Sequence, residues 1–460
     1  MIDSHAHLDF PQYDSDRDDV IREGFNNGLE AVVNIGVDLE TSRKSIELAE
    51  KYPAIYATVG IHPHDSGNAP ADYLRQLEDL ASHKKVVAIG EIGLDYYRDH
   101  SPRDIQRRTF ERQLELARKL EIPIVVHIRE AIEDSFKILK ESGIDKGVLH
   151  SFPGDEAEGR SAIDMGFYIS FAGPLTYPRS TRVKVAASLP LSRVVVETDA
   201  PYLTPQAFRG KRNQPLYVRF VIEKLSEIFS PYTYGDVERI TSHNARRLFG
   251  LPFDKTPKMV YKIRRSLYIN LTNRCSSSCY FCPRGGSTGG FISGHYLFLK
   301  NEPSVEEVLE AVEEESDFDE VVFCGLGEPT MRLKEILEIA GNLKSKGYKI
   351  RLNTNGHGSL INKMEVPSKL VGKIDRVSIS LNAQDADTYL EICRPDRGKE
   401  SFEAVIKFVE GCKKAGIDTT VSVVDLPEID IEACRKLASE LGVNLRVRSY
   451  CGVRMRDFAQ

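Results

Sequence analysis

Histidines and acidic residues recur through the first half of the chain, each just after a short apolar run. Such runs are typical of buried strands, so the polar residue that follows lies at the carboxyl end of a strand. Imidazole and carboxylate groups are the usual protein ligands of catalytic divalent cations. We therefore predict a metal site. The candidate ligands are His5, His7, Glu91, His127, His150 and Asp199.

The spacing of these residues suits two cations. His5 and His7 are two apart on a strand, so their side chains point to one side and can share an ion. Glu91 has two oxygens and could bridge two ions, while His127 and His150 could complete the second ion. Two cations about 3.5–4 Å apart generate hydroxide at neutral pH and stabilise developing negative charge.

Three residues are predicted to act in the reaction itself. Glu91 would bridge the cations, and Asp199 could bind the first ion or orient the attacking water. His62 and His64 follow another apolar run. His62 is predicted to hold substrate oxygens, whereas a structural role is slightly favoured for His64.

The elements that must position these residues form a regular series. Apolar, β-branched runs alternate with longer amphipathic stretches, a pattern typical of βα units and a parallel sheet. Eight such strands over roughly 250 residues are the size of a closed (β/α)8 TIM barrel, in which chemistry sits at the carboxyl ends of strands. The candidate strands are Ile2 to His5, Ala31 to Ile35, Ile55 to Ile61, Val86 to Glu91, Ile124 to His127, Gly147 to His150, Phe167 to Ser170 and Val194 to Glu197.

Six ordered strings in this half resemble the TatD family of metal-dependent hydrolases, within the amidohydrolase superfamily. The resemblance runs from Met1 to about Leu251 and implies a divalent-cation-dependent nuclease that acts on DNA, often from the 3′ end. It also implies that the six candidate ligands bind the metals, Mg, Mn or Zn, with Glu91 in the bridging place. The strings are DSHAHLD, GIHPH, GEIGLDYY, PIVVHIRE, HSFPG and ETDAPYL.

A nuclease must also hold phosphate, and the loop Phe208 to Gln214 (FRGKRNQ) offers cations. Arg209, Lys211 and Arg212 would lie near the metal rim, although an ordinary solvated loop is an equally good interpretation. The predicted substrate is single-stranded DNA. The alternative is hydrolysis of an ester or amide, on an aminoacyl-tRNA or a metabolite. For His243, in SHNARR, a position at a helix start is predicted.

Cysteines are confined to the second half, where all eight fall at Cys275 or later. Cys275, Cys279 and Cys282 form a C-x3-C-x2-C loop directly after the apolar run LYINLT. Three thiolates can bind three irons of a [4Fe–4S] cluster and leave the fourth iron open. A zinc loop or a redox pair are the alternatives, but a structural zinc site needs four ligands and no second close Cys/His pair follows.

The context of these cysteines resembles radical S-adenosylmethionine (SAM) enzymes, and more narrowly those associated with TatD-type nucleases. Phe281 matches the aromatic position that packs on adenine, and CGLGEP resembles the Gly-Gly-Glu segment that holds the SAM amino group. The stretches LNTNG and VSISLNA would bring polar side chains to the same rim. The resemblance implies a [4Fe–4S] cluster, SAM and an electron donor. The predicted SAM contacts are Phe281, Gly325, Gly327, Glu328, Asn353, Ser380 and Asn382.

The second half shows another βα series, which predicts a partial (β/α)6 barrel. The proline-containing segment Leu251 to Lys262 marks the boundary, giving domains 1–255 and 256–460. Cys412 and Cys434 lie on helical patterns and are predicted core residues, whereas Cys393 and Cys451 lie near predicted strand ends. The candidate strands are Leu267 to Asn270, Glu320 to Phe323, Lys349 to Asn353, Val377 to Leu381, Thr419 to Val424 and Asn444 to Val447.

Composition adds few constraints. The net charge of −6 argues against a protein that coats nucleic acid nonspecifically. No signal peptide or membrane-spanning run is apparent, which predicts a cytoplasmic protein without a membrane partner. Oligomeric state is not predicted. A metal-stabilised scaffold or redox sensor is the alternative outside enzymes.

Overall fold

The chain divides into two compact units, Met1–Phe253 and Asp254–Gln460. A computed structural model describes residues 1–285 and 289–449. The glycine-rich run Gly285 to Gly290 (GGSTGG) predicts a flexible loop, but its residues 286–288 lie outside this description, as does Cys451. Within the described residues no helix is long and apolar enough to span a bilayer.

The first unit is a nearly closed parallel barrel, which confirms the predicted fold. Its eight strands are hydrogen-bonded in sequence order. The first and last strands meet through a parallel bridge between Ala6 and Ala200, and the Ser4 hydroxyl donates to the Val196 carbonyl at 2.9 Å. The strands are β1 (Ile2–Ala6), β2 (Ala31–Asn34), β3 (Ile55–Val59), β4 (Val86–Asp95), β5 (Ile124–Arg129), β6 (Gly147–Leu149), β7 (Tyr168–Phe171) and β8 (Val194–Val196).

Helices surround this barrel and bury one apolar face each against the strands. Helix α9 begins after the cap Thr233, whose hydroxyl accepts from the Asp236 amide. His243 therefore lies inside α9, and its predicted place at a helix start is wrong. The helices are α1 (Arg17–Asn26), α2 (Leu39–Lys51), α3 (Tyr73–Ala81), α4 (Arg103–Leu120), α5 (Ile132–Ser142), α6 (Glu156–Asp164), α7 (Arg182–Ser188), α8 (Val218–Ile228) and α9 (Tyr234–Phe249).

Strand β4 extends past its predicted end at Glu91 and continues to Asp95. The pairing register with β5 shifts between Ile89 and Ile92, so the strand carries an irregularity beside Glu91. Gly93 then has φ +140°, and a Cβ there would lie 2.0 Å from the His127 carbonyl oxygen. Only glycine lets the backbones of β4 and β5 approach so closely.

The second unit contains a seven-stranded sheet ordered β17-β16-β15-β14-β13-β10-β9. All neighbouring strands pair in parallel except β9, which pairs antiparallel with β10. The partial barrel is confirmed, but β9 and the hairpin β11–β12 were not predicted. The strands are β9 (Val260–Ile263), β10 (Ser266–Ile269), β11 (Phe291–Ile292), β12 (His295–Tyr296), β13 (Glu320–Phe323), β14 (Ile350–Thr354), β15 (Arg376–Ser380), β16 (Asp418–Asp425) and β17 (Asn444–Ser449).

Three cysteines of the second unit, Cys393, Cys412 and Cys434, lie on its helices. Cys412 and Cys434 are fully buried on α15 and α16, as predicted. Cys393 is the last residue of α14, and its sulfur accepts from Asn382 just after β15, so it lies near a strand end as predicted. The helices are α10 (Val305–Glu313), α11 (Leu333–Ser345), α12 (Gly358–Asn362), α13 (Pro367–Leu370), α14 (Ala386–Cys393), α15 (Glu400–Lys414) and α16 (Ile431–Glu440).

Candidate active sites

The carboxyl ends of β1, β4 and β8 bring four polar side chains together inside the barrel mouth. The Nε2 atoms of His5 and His7 lie 3.3 Å apart. Glu91 Oε2 lies 3.4 Å from His5 Nε2, and Asp199 Oδ1 lies 3.3 Å from His7 Nε2. The pair of histidines and the two carboxylates therefore form one convergent donor set, which we call site A.

The other oxygen of Glu91 faces a second set of imidazoles. Glu91 Oε1 lies 2.8 Å from His127 Nδ1, 3.6 Å from His62 Nε2 and 3.7 Å from His150 Nε2. We call Glu91 with these three histidines site B. Because each carboxylate oxygen faces a different set, the side chain is placed to bridge two cations.

The chemistry of these donors fits divalent cations. Groups of three ligand atoms lie within 4.8 Å of one another in both sites. Burial lowers the pKa of His62 to about 4, so its imidazole is neutral and can donate a lone pair at neutral pH. Burial alone would raise the pKa of Glu91, but the surrounding histidines hold it well below its usual value. His62 therefore belongs to the donors of site B. It was predicted to hold substrate oxygens, but it lies as close to Glu91 as the predicted ligand His150 does.

Two buried carboxylates behind the sites were missed by sequence reasoning. Glu197 Oε1 lies 2.8 Å from His150 Nδ1, and it also accepts from the Ser151 amide. Asp95 Oδ2 lies 3.2 Å from His127 Nε2. Each carboxylate fixes the far nitrogen of an imidazole, so that the other nitrogen points at Glu91. Carboxylate–histidine pairs of this kind orient metal ligands and raise their basicity.

Asp95 also connects His127 to a further histidine. Its Oδ2 lies 2.9 Å from His64 Nε2, and its other oxygen accepts from the amides of Tyr97 and Arg98. The structural role favoured for His64 is consistent with this contact. Asp95 and Glu197 belong to the strings GEIGLDYY and ETDAPYL, four residues after Glu91 and two before Asp199. This closeness to predicted ligands was the signal in the sequence that could have revealed them.

Replacing Asp95 with asparagine is expected to weaken cation binding at site B by roughly 10- to 100-fold, because His127 loses its anionic partner. The measurement is a Mn²⁺ titration of the metal-free full chain. Asp99→Asn is the matched control, because this exposed carboxylate lies in the same segment and pairs with Arg103. Equal affinity in Asp95→Asn and wild type would contradict the positioning role.

The loop that carries Cys275, Cys279 and Cys282 follows β10, on the side of the second unit where the parallel strands have their carboxyl ends. Asn355 Nδ2 lies 3.8 Å from Cys275 Sγ, and the Arg284 amide donates to Cys282 Sγ at 3.5 Å. The neighbouring Cys393 and burial raise the pKa of the Cys279 thiol above its usual value. Among residues 1–285 and 289–449, no three cysteine sulfurs lie within 4.8 Å of one another. The three thiols would therefore have to move closer together to bind one tetrahedral zinc ion.

A buried imidazole anchors the cysteine loop. His357 is fully buried; its Nδ1 lies 2.8 Å from the Ser276 hydroxyl and its Nε2 lies 2.9 Å from the Tyr389 hydroxyl. Asn355 also donates to the Ser276 hydroxyl at 3.0 Å. The loop therefore has a fixed support from β14 and α14, although sequence reasoning singled out neither His357 nor Tyr389.

The predicted SAM segment after β13 packs against the cysteine loop. A Cβ on Gly325 would lie 2.0 Å from Asn270 Oδ1, and one on Gly327 would lie 2.4 Å from the Thr272 carbonyl oxygen. Close approach of the chain after β10 is therefore one reason for glycine at both positions, and their contact with SAM stays a prediction. The amide of Gly327 donates to the Thr272 carbonyl at 3.0 Å.

Glu328 is buried and already bonded. Its Oε1 accepts from Thr330 and from the Thr354 hydroxyl at 2.7 Å, and its Oε2 accepts from the Asn355 amide at 2.7 Å. The carboxylate therefore joins the ends of β13 and β14. Only Oε2, with a single donor, is free to accept from a further group such as an ammonium.

The other predicted SAM contacts lie at the ends of neighbouring strands. Asn353 is the last residue but one of β14 and accepts from Arg351 at 2.9 Å. Ser380 ends β15, and the buried Asn382 donates to Cys393 Sγ at 3.6 Å while its Oδ1 has no partner among the described residues. Phe281 is half-buried beside Tyr280, with ring centroids 5.7 Å apart.

Comparison with known families decides the identity of the first unit. The family model described as TatD related DNase matches residues 2–250, which is more than half of the chain. The chain belongs to the TatD family. A second model, Radical SAM superfamily, matches residues 269–441. The chain is therefore an enzyme that joins a TatD half to a radical SAM half.

Relatives of the TatD half share almost their whole length with it. The uncharacterized metal-dependent hydrolase YabD of Bacillus subtilis is 42% identical over 252 residues, covering 54% of this chain and 98% of the relative. The 3′–5′ ssDNA/RNA exonuclease TatD of Salmonella typhimurium is 33% identical, covering 55% and 100%. The crystal structure of YJJV, a TatD homolog from Escherichia coli K12, matches with a TM-score of 0.53 and 30% identity, covering 55% and 98%.

Two arginines of the loop Phe208 to Gln214, Arg209 and Arg212, have different contacts. Arg212 donates to Asp16 at 2.6 Å and to the Gln12 carbonyl, so it fastens the loop and is not free for phosphate. Arg209 is exposed, and its guanidinium lies 4.8 Å from the centre of the Tyr177 ring. The loop is thus neither wholly solvated nor wholly available to a ligand.

Proposed function

We propose that the TatD half hydrolyses phosphodiester bonds of single-stranded DNA with two divalent cations. The observation that carries the proposal is the position of Glu91, whose two oxygens face sites A and B. Cations held there would lower the pKa of a water and stabilise negative charge that develops on phosphate. The Salmonella relative named as an ssDNA/RNA exonuclease supports the choice of bond.

The side chains of this half have distinct tasks in that reaction. His5, His7 and Asp199 would hold the first cation, and Asp199 is also close enough to orient an attacking water. His127 and His150 would hold the second cation, with Asp95 and Glu197 behind them. His62 offers a further neutral donor on the side of site B.

The radical SAM half is proposed to hold a [4Fe–4S] cluster on Cys275, Cys279 and Cys282 and to bind SAM at the ends of β13 to β15. A cluster there would supply the electron that cleaves SAM, and an external electron donor must reduce it. The hydrogen donor substrate is not assigned. The predicted cytoplasmic location stays a prediction.

The test of the hydrolytic proposal is a substrate panel with the full chain loaded with Mn²⁺ or Mg²⁺. We expect cleavage of end-labelled single-stranded DNA, and at most weak turnover of aryl esters and amides. His127→Ala is the control that separates this activity from a contaminant. Strong amidase or esterase activity without phosphodiester cleavage would contradict the proposal and favour the alternative substrate class.

A further inference from the structure

A second cleft opens beside the metal pocket of the TatD half. It has a volume of about 460 Å³ and lies between the chain that follows β7 and the chain that follows β8. Its lining combines three arginines, two hydroxyl side chains and a tyrosine with two prolines. The residues that matter for its chemistry are Tyr177, Arg179, Ser180, Arg182 and Arg209.

This cleft adjoins the hydrolytic centre through one side chain. Arg182 lines the cleft and also lines the pocket of about 270 Å³ that contains His127, His150 and Asp199. Arg129 lies on the same pocket. A chain-like substrate whose reacting bond lies at sites A and B would therefore pass Arg182 and enter the cleft.

The positive charges of the cleft are not neutralised by the protein. Within the parts of the chain that the structure describes, no carboxylate lies at ion-pair distance from Arg179, Arg182 or Arg209. By contrast, Arg212 on the same loop is paired with Asp16. Free guanidinium groups that share a concave surface attract an anion with several charges.

Two buried donors of the cleft also lack partners. The Nε of Arg182 and the hydroxyl of Ser180 are inaccessible, and neither has a hydrogen-bond partner among the described residues. A buried donor without an acceptor destabilises the folded protein. Phosphate oxygens are acceptors of the required charge, and both donors would reach them if the two side chains, which line the cleft, turned toward it.

The walls of the cleft are held in place before any ligand binds. The Tyr177 hydroxyl donates to the Thr204 carbonyl at 3.0 Å, and the Gln206 amide donates to the Thr176 hydroxyl at 2.8 Å. A Cβ on Gly173 would lie 1.9 Å from the Leu203 carbonyl oxygen, so the two chain segments are in close contact. A preformed cleft loses less free energy to ordering when it binds.

We propose that this cleft binds the sugar–phosphate backbone of a single-stranded nucleic acid beyond the scissile phosphate, with Arg179 and Arg209 on phosphates and Tyr177 beside a base. The inference rests on the proposed phosphodiesterase function and deepens it. Basic grooves with interleaved aromatic side chains are the usual binding surface for single strands. Such a cleft gives the enzyme a preference for strands long enough to reach it.

The test compares substrate lengths in the metal-loaded full chain. The double variant Arg179→Ala/Arg209→Ala is set against Arg108→Ala/Arg118→Ala, which removes the same charge from exposed positions on α4. For a thymidine 12-mer we expect the first variant to lose roughly 10- to 100-fold in kcat/KM, while the control stays within about twofold. For a dinucleotide, which fills only the metal pocket, both variants should match wild type.

Salt dependence supplies a second readout. The slope of log Kd against log salt for the 12-mer should become less steep by about 1.4 in the first variant, at about 0.7 for each lost phosphate contact. A 12-mer that is cleaved equally well by both variants would overturn the inference and leave the proposed function intact. Equal losses on the dinucleotide and the 12-mer would also overturn it. A wild-type enzyme that cleaves neither substrate would remove the proposed function and the inference together.

Inorganic phosphate and an acidic peptide distinguish other occupants of the cleft. Each is added as a competitor of the 12-mer at constant ionic strength. Weak competition by both supports a site built for a strand. Complete displacement by an equimolar acidic peptide would overturn the assignment in favour of a protein partner.

Discussion

Glu91→Gln is expected to lower kcat/KM for phosphodiester cleavage by about 1,000-fold or more, with at most one cation retained for each chain. The substitution keeps the shape of the side chain but removes the charge that faces both donor sets. Site A would keep His5, His7 and Asp199, whereas site B would keep only imidazoles. Steady-state kinetics and metal analysis of the same preparation measure both effects.

The control for this variant is Glu115→Gln, an exposed carboxylate on α4 that belongs to neither site. It should keep two cations and wild-type kinetics. If Glu91→Gln retained both cations and more than a tenth of the activity, Glu91 would not be the bridge.

Replacing Cys275, Cys279 and Cys282 together with alanine is expected to remove the iron and to lower 5′-deoxyadenosine formation by more than about 100-fold. Three thiolates are needed to hold the cluster, and SAM cleavage depends on its electron. The measurement is anaerobic reconstitution with iron, sulfide and SAM, followed by mass spectrometry. Phosphodiester cleavage should stay within about twofold of wild type, because no ligand of sites A or B belongs to the second unit.

Cys434→Ala is the matched control for the triple variant, since this thiol is buried on α16 and is predicted to serve only packing. It should keep iron and SAM cleavage. A triple variant that still binds iron and sulfide would show that the cluster ligands lie elsewhere. Zinc in place of iron in the wild-type chain would favour the zinc loop.

The candidate metal donors of the TatD half, apart from Glu91, could be predicted because each lies within three residues of the carboxyl end of a strand. A parallel barrel brings those ends to one rim, so residues far apart in sequence meet there. Asp95 was missed because the run VVAIGEIGLD is apolar almost throughout, and its periodicity does not show the shift in register after Ile89. The sequence placed Glu197 at the end of a strand, but it did not show that this carboxylate contacts His150.

In the radical SAM half, the sequence predicted the strands better than the reasons for particular residues. Gly325 and Gly327 were predicted to contact SAM, and the structure adds a second cause for glycine at both positions, because the chain after β10 approaches them closely. A glycine in a strand-end motif fits both causes, so the sequence alone cannot show that a neighbouring segment of the chain requires it. Strand β9 was missed because its four residues follow a segment rich in prolines and charges, which favours a linker.

Anomalous X-ray scattering from crystals of the anaerobically reconstituted full chain, grown with Mn²⁺, tests the central claim most directly. We predict two manganese peaks on either side of the Glu91 carboxylate, one between His5 and His7 and one beside His127. A separate iron peak should lie against the three loop thiols. A single manganese position away from Glu91, or iron bound by other side chains, would contradict the account.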